Sequence, residues 1–457
     1  MIFVIRISVL RMQNTIHASF QRLISKKCLI LFVCVLLKLF CVFYENRLPE
    51  SSPLLATLPL ARCLHRPARS EYHSNSEFNP SIAVRNDVRV GIIGGGLMGR
   101  EAAGALARWF VLDSFPLQAR LTAVCELDDK KREWFRQIPS VKLLTGDYRE
   151  LLASDKVDVV YVAVPHNLHE KIYLDVLMSG KDLFGEKPFG IDLQAARTIQ
   201  KAATSSGRFV RCISQFPFMP GAQRAFQMAR AGNLGEILEI HSGFLHSSDL
   251  DPLKPACWKR QVKSCGGIGV MGDLGPHAVH LPFRLGWKPK RVYAQVQKIH
   301  YERPDRQGTL VACDTWDNAT LHTEVVIENR EVPMRLEMKR LAPGEMNTWF
   351  IEILGTDGGL KFSTKEPKTL WTFQRSPEQR WQKTDLGFHG PFPTITSGIF
   401  ESGFPDCFLQ MWAAYMAERS DQLDGRYGCV TPAEAVQCHE VFEAALLSHE
   451  RKQAVLI

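Results

Sequence analysis

Two short stretches hold the side chains best suited to proton and hydride chemistry: Glu186-Lys187-Pro188, and Asp273-Leu274-Gly275-Pro276-His277. An ammonium beside a proline sits on a stiffened backbone. It can hydrogen-bond a reacting hydroxyl and stabilise alkoxide character as it develops. Asp273 and His277 are four apart, so on a helix they share a face, and an imidazole beside a carboxylate can carry a proton at neutral pH. This spacing predicts that Asp273 orients His277. Taken alone, Lys187 could equally be a surface lysine and His277 a core or capping histidine.

A third stretch supplies a place for a cofactor. Residues 88–93 (VRVGII) read as a buried strand running into Gly94-Gly95-Gly96-Leu97-Met98-Gly99, followed by an Ala-rich helix. In this strand–turn–helix context, Gly94 permits the tight turn, Gly96 lets the backbone approach a pyrophosphate, and Gly99 allows helix and strand to pack closely. The helix N-terminus then offers free N–H groups to phosphate. A second strand at 121–125 ends at Glu126, placed to accept from both adenosine ribose hydroxyls and to repel a 2′-phosphate; NAD is therefore expected rather than NADP. Asp128 is the alternative for that role. A third strand, at 157–164, leads into Pro165-His166-Asn167-Leu168-His169, where Pro165, Asn167 and His169 are expected to line the cofactor.

Lys187 follows a further short strand at 181–184, and Glu-Lys-Pro at that point resembles the hallmark of the GFO/IDH/MocA family of oxidoreductases. The similarity covers most of residues 88–457. Gly235-Glu236-Ile237 looks like the family's entry to its second domain. Gly266-Gly267-Ile268-Gly269 followed by Asp273-x-Gly275-x-His277 looks like its Gly-rich turn and helix, and Ser448 lies in a closing helix of similar kind. The resemblance implies an α/β Rossmann domain plus an α+β domain with an open, mostly antiparallel sheet. It implies that Glu186 and Lys187 lie at the nicotinamide, with Lys187, Asp273 and His277 catalytic. It also implies a sugar, sugar derivative or cyclitol oxidised or reduced at a secondary hydroxyl, and a homodimer or homotetramer formed through the open sheet. An NAD-dependent glycoside hydrolase and a catalytically inactive sugar or NAD sensor are the rival readings. One departure stands out: His280 occupies the place, three after His277, where the family usually carries an acid. His277 with His280, or His241 with His246, has the look of a metal pair, but no third ligand is suitably spaced, so no metal is expected.

The supporting elements follow from patterning. Residues 87–212 are expected to form the Rossmann domain and 213–457 the second, and the family resemblance implies that the last helix packs back on the first. Strands are expected at 238–244, 291–296, 319–327, 334–339 and 350–354, with a hairpin turn at 328–331. A helix at 408–418 carries Phe408, Met411, Trp412 and Tyr415 as a stripe, and Thr431-Pro432-Ala433-Glu434 reads as a capping box. Trp258-Lys259-Arg260 precedes the Gly-rich turn, where Lys259 and Arg260 are candidates for substrate hydroxyls or a carboxylate. His389, Phe392 and Phe404 lie in a Gly/Pro/Phe-rich stretch, 387–405, proposed as a pocket cover.

Composition narrows the rest. Of 457 residues, the first 86 hold 11 Lys+Arg against 4 Asp+Glu, and the remainder hold 45 against 44. The basic balance thus belongs to the leader and argues against a nucleic-acid surface on the body. Eight cysteines outside the leader show no paired spacing, which suits a reduced, cytoplasmic setting. The leader has an apolar run at 28–44, interrupted by Lys38, followed by a Pro-, Ser-, Arg- and His-rich stretch. It reads as a signal or membrane anchor, as a transit-like extension, or, the favoured reading, as residues before the true start. Export or membrane attachment would follow only if it is genuine.

Overall fold

The computed structural model describes residues 86–457 except Glu378; the leader readings concern residues outside that range. The chain alternates strand and helix from β1 (Asn86–Ile93) through α1 (Leu97–Ala107), β2 (Leu117–Cys125), α2 (Asp129–Trp134), β3 (Leu143–Thr145) and α3 (Tyr148–Ala153). It continues with β4 (Val159–Val162), α4 (His169–Met178), β5 (Asp182–Gly185), α5 (Leu193–Ser206) and β6 (Val210–Cys212). The six strands are all parallel, in the order β3-β2-β1-β4-β5-β6. Sequence order reverses between β1 and β4, and the crevice beyond their carboxyl ends is where ligands bind in such sheets. Helices cover both faces, so β4 is buried at every residue, as its unbroken apolar run requires.

After α6 (Pro220–Arg230) come β7 (Ile237–His246), α7 (Val262–Cys265) and α8 (Val270–Arg284). The strands that follow are β8 (Pro289–Gln297), β9 (Glu302–Pro304), β10 (Leu310–Ala312), β11 (Asn318–Ile327), β12 (Arg330–Lys339), β13 (Met346–Gly355), β14 (Gly358–Ser363), β15 (Thr369–Gln374) and β16 (Trp381–Asp385). Two helices, α9 (Phe404–Arg419) and α10 (Pro432–Arg451), and β17 (Val455–Leu456) close the chain. Nine strands form one open sheet, β16-β15-β14-β13-β7-β12-β11-β8-β17. Every pairing in it is antiparallel except β7 with β12. The hairpin between β11 and β12 is tighter than its sequence suggests. Glu328 and Asn329, both at positive φ, make a two-residue turn, and Arg330 and Glu331 are already paired.

Helix α8 lies on this sheet with fourteen consecutive buried residues, Val270 to Phe283. Two prolines stand inside it, and each removes an N–H from the helical ladder. Pro282 leaves the Ala278 carbonyl without its usual donor, and Ser242 Oγ of β7 donates to that oxygen at 2.7 Å. Trp349 Nε1 of β13 donates to the neighbouring His277 carbonyl at 2.8 Å. The sheet thus holds the backbone of the helix that carries Asp273 and His277.

Both C-terminal helices return to the Rossmann domain. Thr431 caps α10 in the expected box with Glu434. Along α10, Glu443 accepts from Leu193 N at 2.8 Å and Glu440 pairs with Arg197. Helix α9 goes further than a stripe. It begins four residues earlier than its pattern indicates, and every residue from Cys407 to Ala417 is buried. Trp412 packs edge-on to Phe184 of β5 at 4.9 Å, Tyr415 stacks on the same ring at 4.3 Å, and Arg419 pairs with Asp182. No helix among the described residues is long and apolar enough to cross a membrane. Trp412→Ala is expected to cost about 3–5 kcal/mol by urea unfolding, whereas Ala at the exposed Tyr301 should change stability by less than about 0.5 kcal/mol.

Candidate active site

A cleft of about 720 Å³ runs between the glycine-rich turn and α8. Gly94 has a φ of +99°, and a Cβ there would lie 2.2 Å from the Ala163 carbonyl oxygen of the strand-end beside it. A Cβ on Gly99 would meet the Gly94 oxygen at 2.0 Å, so both positions exclude any side chain. Gly96 differs: a Cβ there would touch nothing within 4 Å, which leaves open space over the backbone at the mouth of α1. Gly96, Leu97 and Met98 line the cleft, and α1 starts with no side-chain cap and no acid in its first turn. Its first N–H groups are therefore free for an anion, as a dinucleotide pyrophosphate requires.

Glu126 sits just past β2, with Oε2 accepting from Gly95 N at 2.7 Å and Oε1 from Asp128 N at 2.9 Å. Asp128 is committed elsewhere, since its side chain caps α2 by accepting from Lys131 N. Arg132 donates to the Glu126 carbonyl oxygen at 2.6 Å and is paired with Asp129.

The turn after β4 contributes differently from its sequence expectation. Pro165 and His166 line the cleft, while Asn167 is exposed outside it. His169 is fully buried, its ring nitrogens 2.8 Å from the Pro188 oxygen and 3.0 Å from the Val164 oxygen. Burial lowers its pKa to about 4. It fastens the turn to the Lys187–Pro188 segment and does not reach the cleft. His166 Nδ1 lies 3.0 Å from the Cys265 oxygen, joining the same turn to α7.

Glu186 is buried at the inner wall, where burial pushes its carboxyl pKa up and the Tyr161 hydroxyl donates to Oε1 at 2.5 Å. Lys187 Nζ donates to the Asp273 carbonyl oxygen at 2.5 Å and to Asp273 Oδ1 at 3.1 Å. Lys259 also donates to Oδ1, at 2.7 Å, and Arg340 approaches Oδ2 at 3.4 Å. Burial alone would push the Asp273 carboxyl up, but Lys259, Lys187 and Arg340 outweigh it and hold it ionised, well below the usual carboxylate range.

Asp273 therefore does not orient His277, because its oxygens are taken by three cations. His277 Nδ1 instead lies 3.4 Å from Ser214 Oγ. The ring is wedged edge-on between Phe216 and Phe244, at 5.1 and 5.3 Å. Burial first, and then the nearby Lys187, drive its pKa well below the ordinary histidine value, so it is a neutral base at neutral pH. His280 lies behind the cleft, buried against Tyr427, with neither ring nitrogen hydrogen-bonded among the described residues. Lys259 and Arg260 both line the cleft, and the Arg260 guanidinium is paired with Asp249. Of the proposed cover, Phe404 opens α9 and lines the cleft, His389 lies on a different cavity, and Phe392 is buried, its backbone bonded to Gln410. Arg340 lines the cleft without any sequence motif to announce it, and His246, noted in the sequence only as half of a pair with His241, lines it too.

Family models settle the lineage. Residues 88–213 match the GFO/IDH/MocA oxidoreductase model with an NAD-binding Rossmann fold, and residues 222–361 match the family's C-terminal domain. The chain belongs to the GFO/IDH/MocA family. This family member is thus an NAD-binding oxidoreductase. It is similar to levoglucosan dehydrogenase of Pseudarthrobacter phenanthrenivorans, 25% identical over 61% of this chain and 74% of that enzyme. It also resembles mouse trans-1,2-dihydrobenzene-1,2-diol dehydrogenase, 28% identical over 44% of this chain and 60% of the enzyme. Among solved structures, a levoglucosan dehydrogenase complex with NADH superposes with a TM-score of 0.73 at 22% identity, covering 81% of this chain and 99% of the other. An inositol dehydrogenase homologue with NAD+ from Azotobacter vinelandii does so at 0.68 and 20% identity, covering 81% and 98%.

Glu126→Ala should lower the ratio of kcat/KM with NAD to that with NADP by about tenfold or more, the worth of one charge-assisted hydrogen bond plus the lost repulsion of a 2′-phosphate. An unchanged ratio assigns the ribose contact elsewhere.

Proposed function

We propose that this GFO/IDH/MocA oxidoreductase transfers hydride between NAD and the carbon of a secondary hydroxyl on a polyhydroxylated ring, a sugar, sugar derivative or cyclitol. When bound, NAD supplies the hydride acceptor for oxidation or the donor for reduction. The glycine-rich turn, the α1 N-terminus and Glu126 are the residues that would hold it. The observation that carries the reading is that Lys187, from the end of β5, and His277, from α8, line the same cleft as that turn.

Lys187 is fixed by two hydrogen bonds to Asp273, which leaves its ammonium a defined direction for a third, to the reacting oxygen. A cluster of three cations around one carboxylate leaves surplus positive charge where an alkoxide would develop, and such preorganised charge favours the transition state. His277, held neutral, accepts the hydroxyl proton in oxidation and, once charged, returns it in reduction. Gln215 lines the same cleft, which puts a polar side chain beside a ring's further hydroxyls. The ring-shaped substrate is supported by the relatives named for levoglucosan and a cyclic diol, and by an inositol dehydrogenase homologue held with NADH and myo-inositol. Self-association through the sheet face away from α8, where Tyr293 and Trp371 are partly exposed, belongs to the same reading.

A second reading, transient oxidation within glycoside hydrolysis, is favoured by 26% identity over 50% of this chain to glycosyl hydrolase family 109 protein 1 of Bacteroides thetaiotaomicron. The two separate on one measurement: NADH absorbance rises with each turnover of a dehydrogenase and does not accumulate in the hydrolase.

Lys187→Ala should reduce kcat by about 10²–10³-fold or more, while fluorescence titration still detects NADH binding. Retained turnover overturns the assignment. Because His277 must be neutral to act as base and its pKa is lowered, kcat/KM for oxidation should be flat through neutral pH. It should fall only as pH drops well below about 6.5, the ordinary histidine value. An acid limb centred at or above that value would count against His277 as the base.

A further inference from the structure

Away from the catalytic cleft, two adjoining cavities of about 430 and 350 Å³ open beside α6, the C-terminal end of α8 and the turn at 425–428. They have Phe226, Arg230, Arg426 and Tyr427 as common walls, and neither has a wall residue in common with the cleft. Arg224 lines the first and Arg284 the second, so four guanidiniums face one continuous groove that no carboxylate lines. Arg284 is paired with Glu434 and Arg426 with Asp424, both acids lying outside the groove. Arg224 and Arg230 have no carboxylate partner among the described residues. Unopposed like charges lining one concavity repel one another and draw in a counter-ion.

Phe226 and the Tyr427 ring give the groove an apolar wall next to its charge.

We propose that this groove is a second small-molecule site, which takes a phosphate monoester. Its dianionic head pairs with Arg224 and Arg230, and its organic part lies along Phe226 and the Tyr427 ring. Phosphate suits the site better than a single carboxylate, because it carries close to two charges and three acceptor oxygens, enough for two planar guanidinium forks.

The test is calorimetric titration of the full chain saturated with NADH, so that the catalytic cleft is occupied, using phenyl phosphate, inorganic phosphate and benzoate as probes. Phenyl phosphate is expected to saturate a single site, to bind more tightly than the other two, and to weaken as salt is raised. The double variant R224A/R230A should lose about tenfold or more in affinity, with NADH affinity unchanged. Since Arg224 and Arg230 are exposed, the double variant should melt with the parent. Absence of saturable binding, or equal affinity in the double variant, overturns the proposal. So does binding to vesicles carrying phosphatidic acid without binding of phenyl phosphate. None of these outcomes depends on the hydride-transfer reading.

Discussion

The buried carboxylate of Asp273 is the tie on which the site depends. One aspartate, almost wholly out of water, gathers Lys187 from the Rossmann domain, Lys259 from the turn before the Gly-rich segment, and Arg340 from the end of β12. Taking a carboxylate out of water is expensive and is offset only by close, well-directed cations. The same contact fixes the Lys187 ammonium, screens three like charges from one another, and binds the two domains across the cleft. The interaction that makes the chemistry possible is therefore also one that holds its two halves in register.

Much of this was legible beforehand, because some constraints are local. A dinucleotide turn must be glycine where the backbone touches itself, and Gly94 and Gly99 are glycine for that reason. The buried parallel strand β4 must be apolar throughout, and the capping box of α10 is written in four consecutive residues. The Glu-Lys-Pro and Asp-x-Gly-x-His segments marked the two sides of the cleft.

What was not legible depended on partners far away in sequence. Helical spacing puts Asp273 and His277 on one face, but it cannot say that Asp273 will be claimed by cations before it reaches the imidazole. Nothing near Arg340 distinguishes it from strand-end residues elsewhere. His169 follows a strand end where ligands bind, yet it points inward, its ring nitrogens beside the Pro188 and Val164 carbonyl oxygens. Similarly, the four apolar residues read as a stripe on α9 understate a helix enclosed on all sides, since small residues such as Ala413 and Ala414 are buried by neighbours that a local pattern does not reveal.

That enclosure bears on how the protein is made. The aromatic cover of β5 comes from Trp412 and Tyr415, which leave the ribosome only after every strand of the open sheet except β17. Until then Phe184 and Tyr161 lack the surface that shields them, and the nucleotide-binding half is a nascent intermediate with an oily flank. Completion of the N-terminal domain is thereby deferred until α9 has been made, and a chain cut short before α9 would be a natural client for chaperones rather than a working half-enzyme.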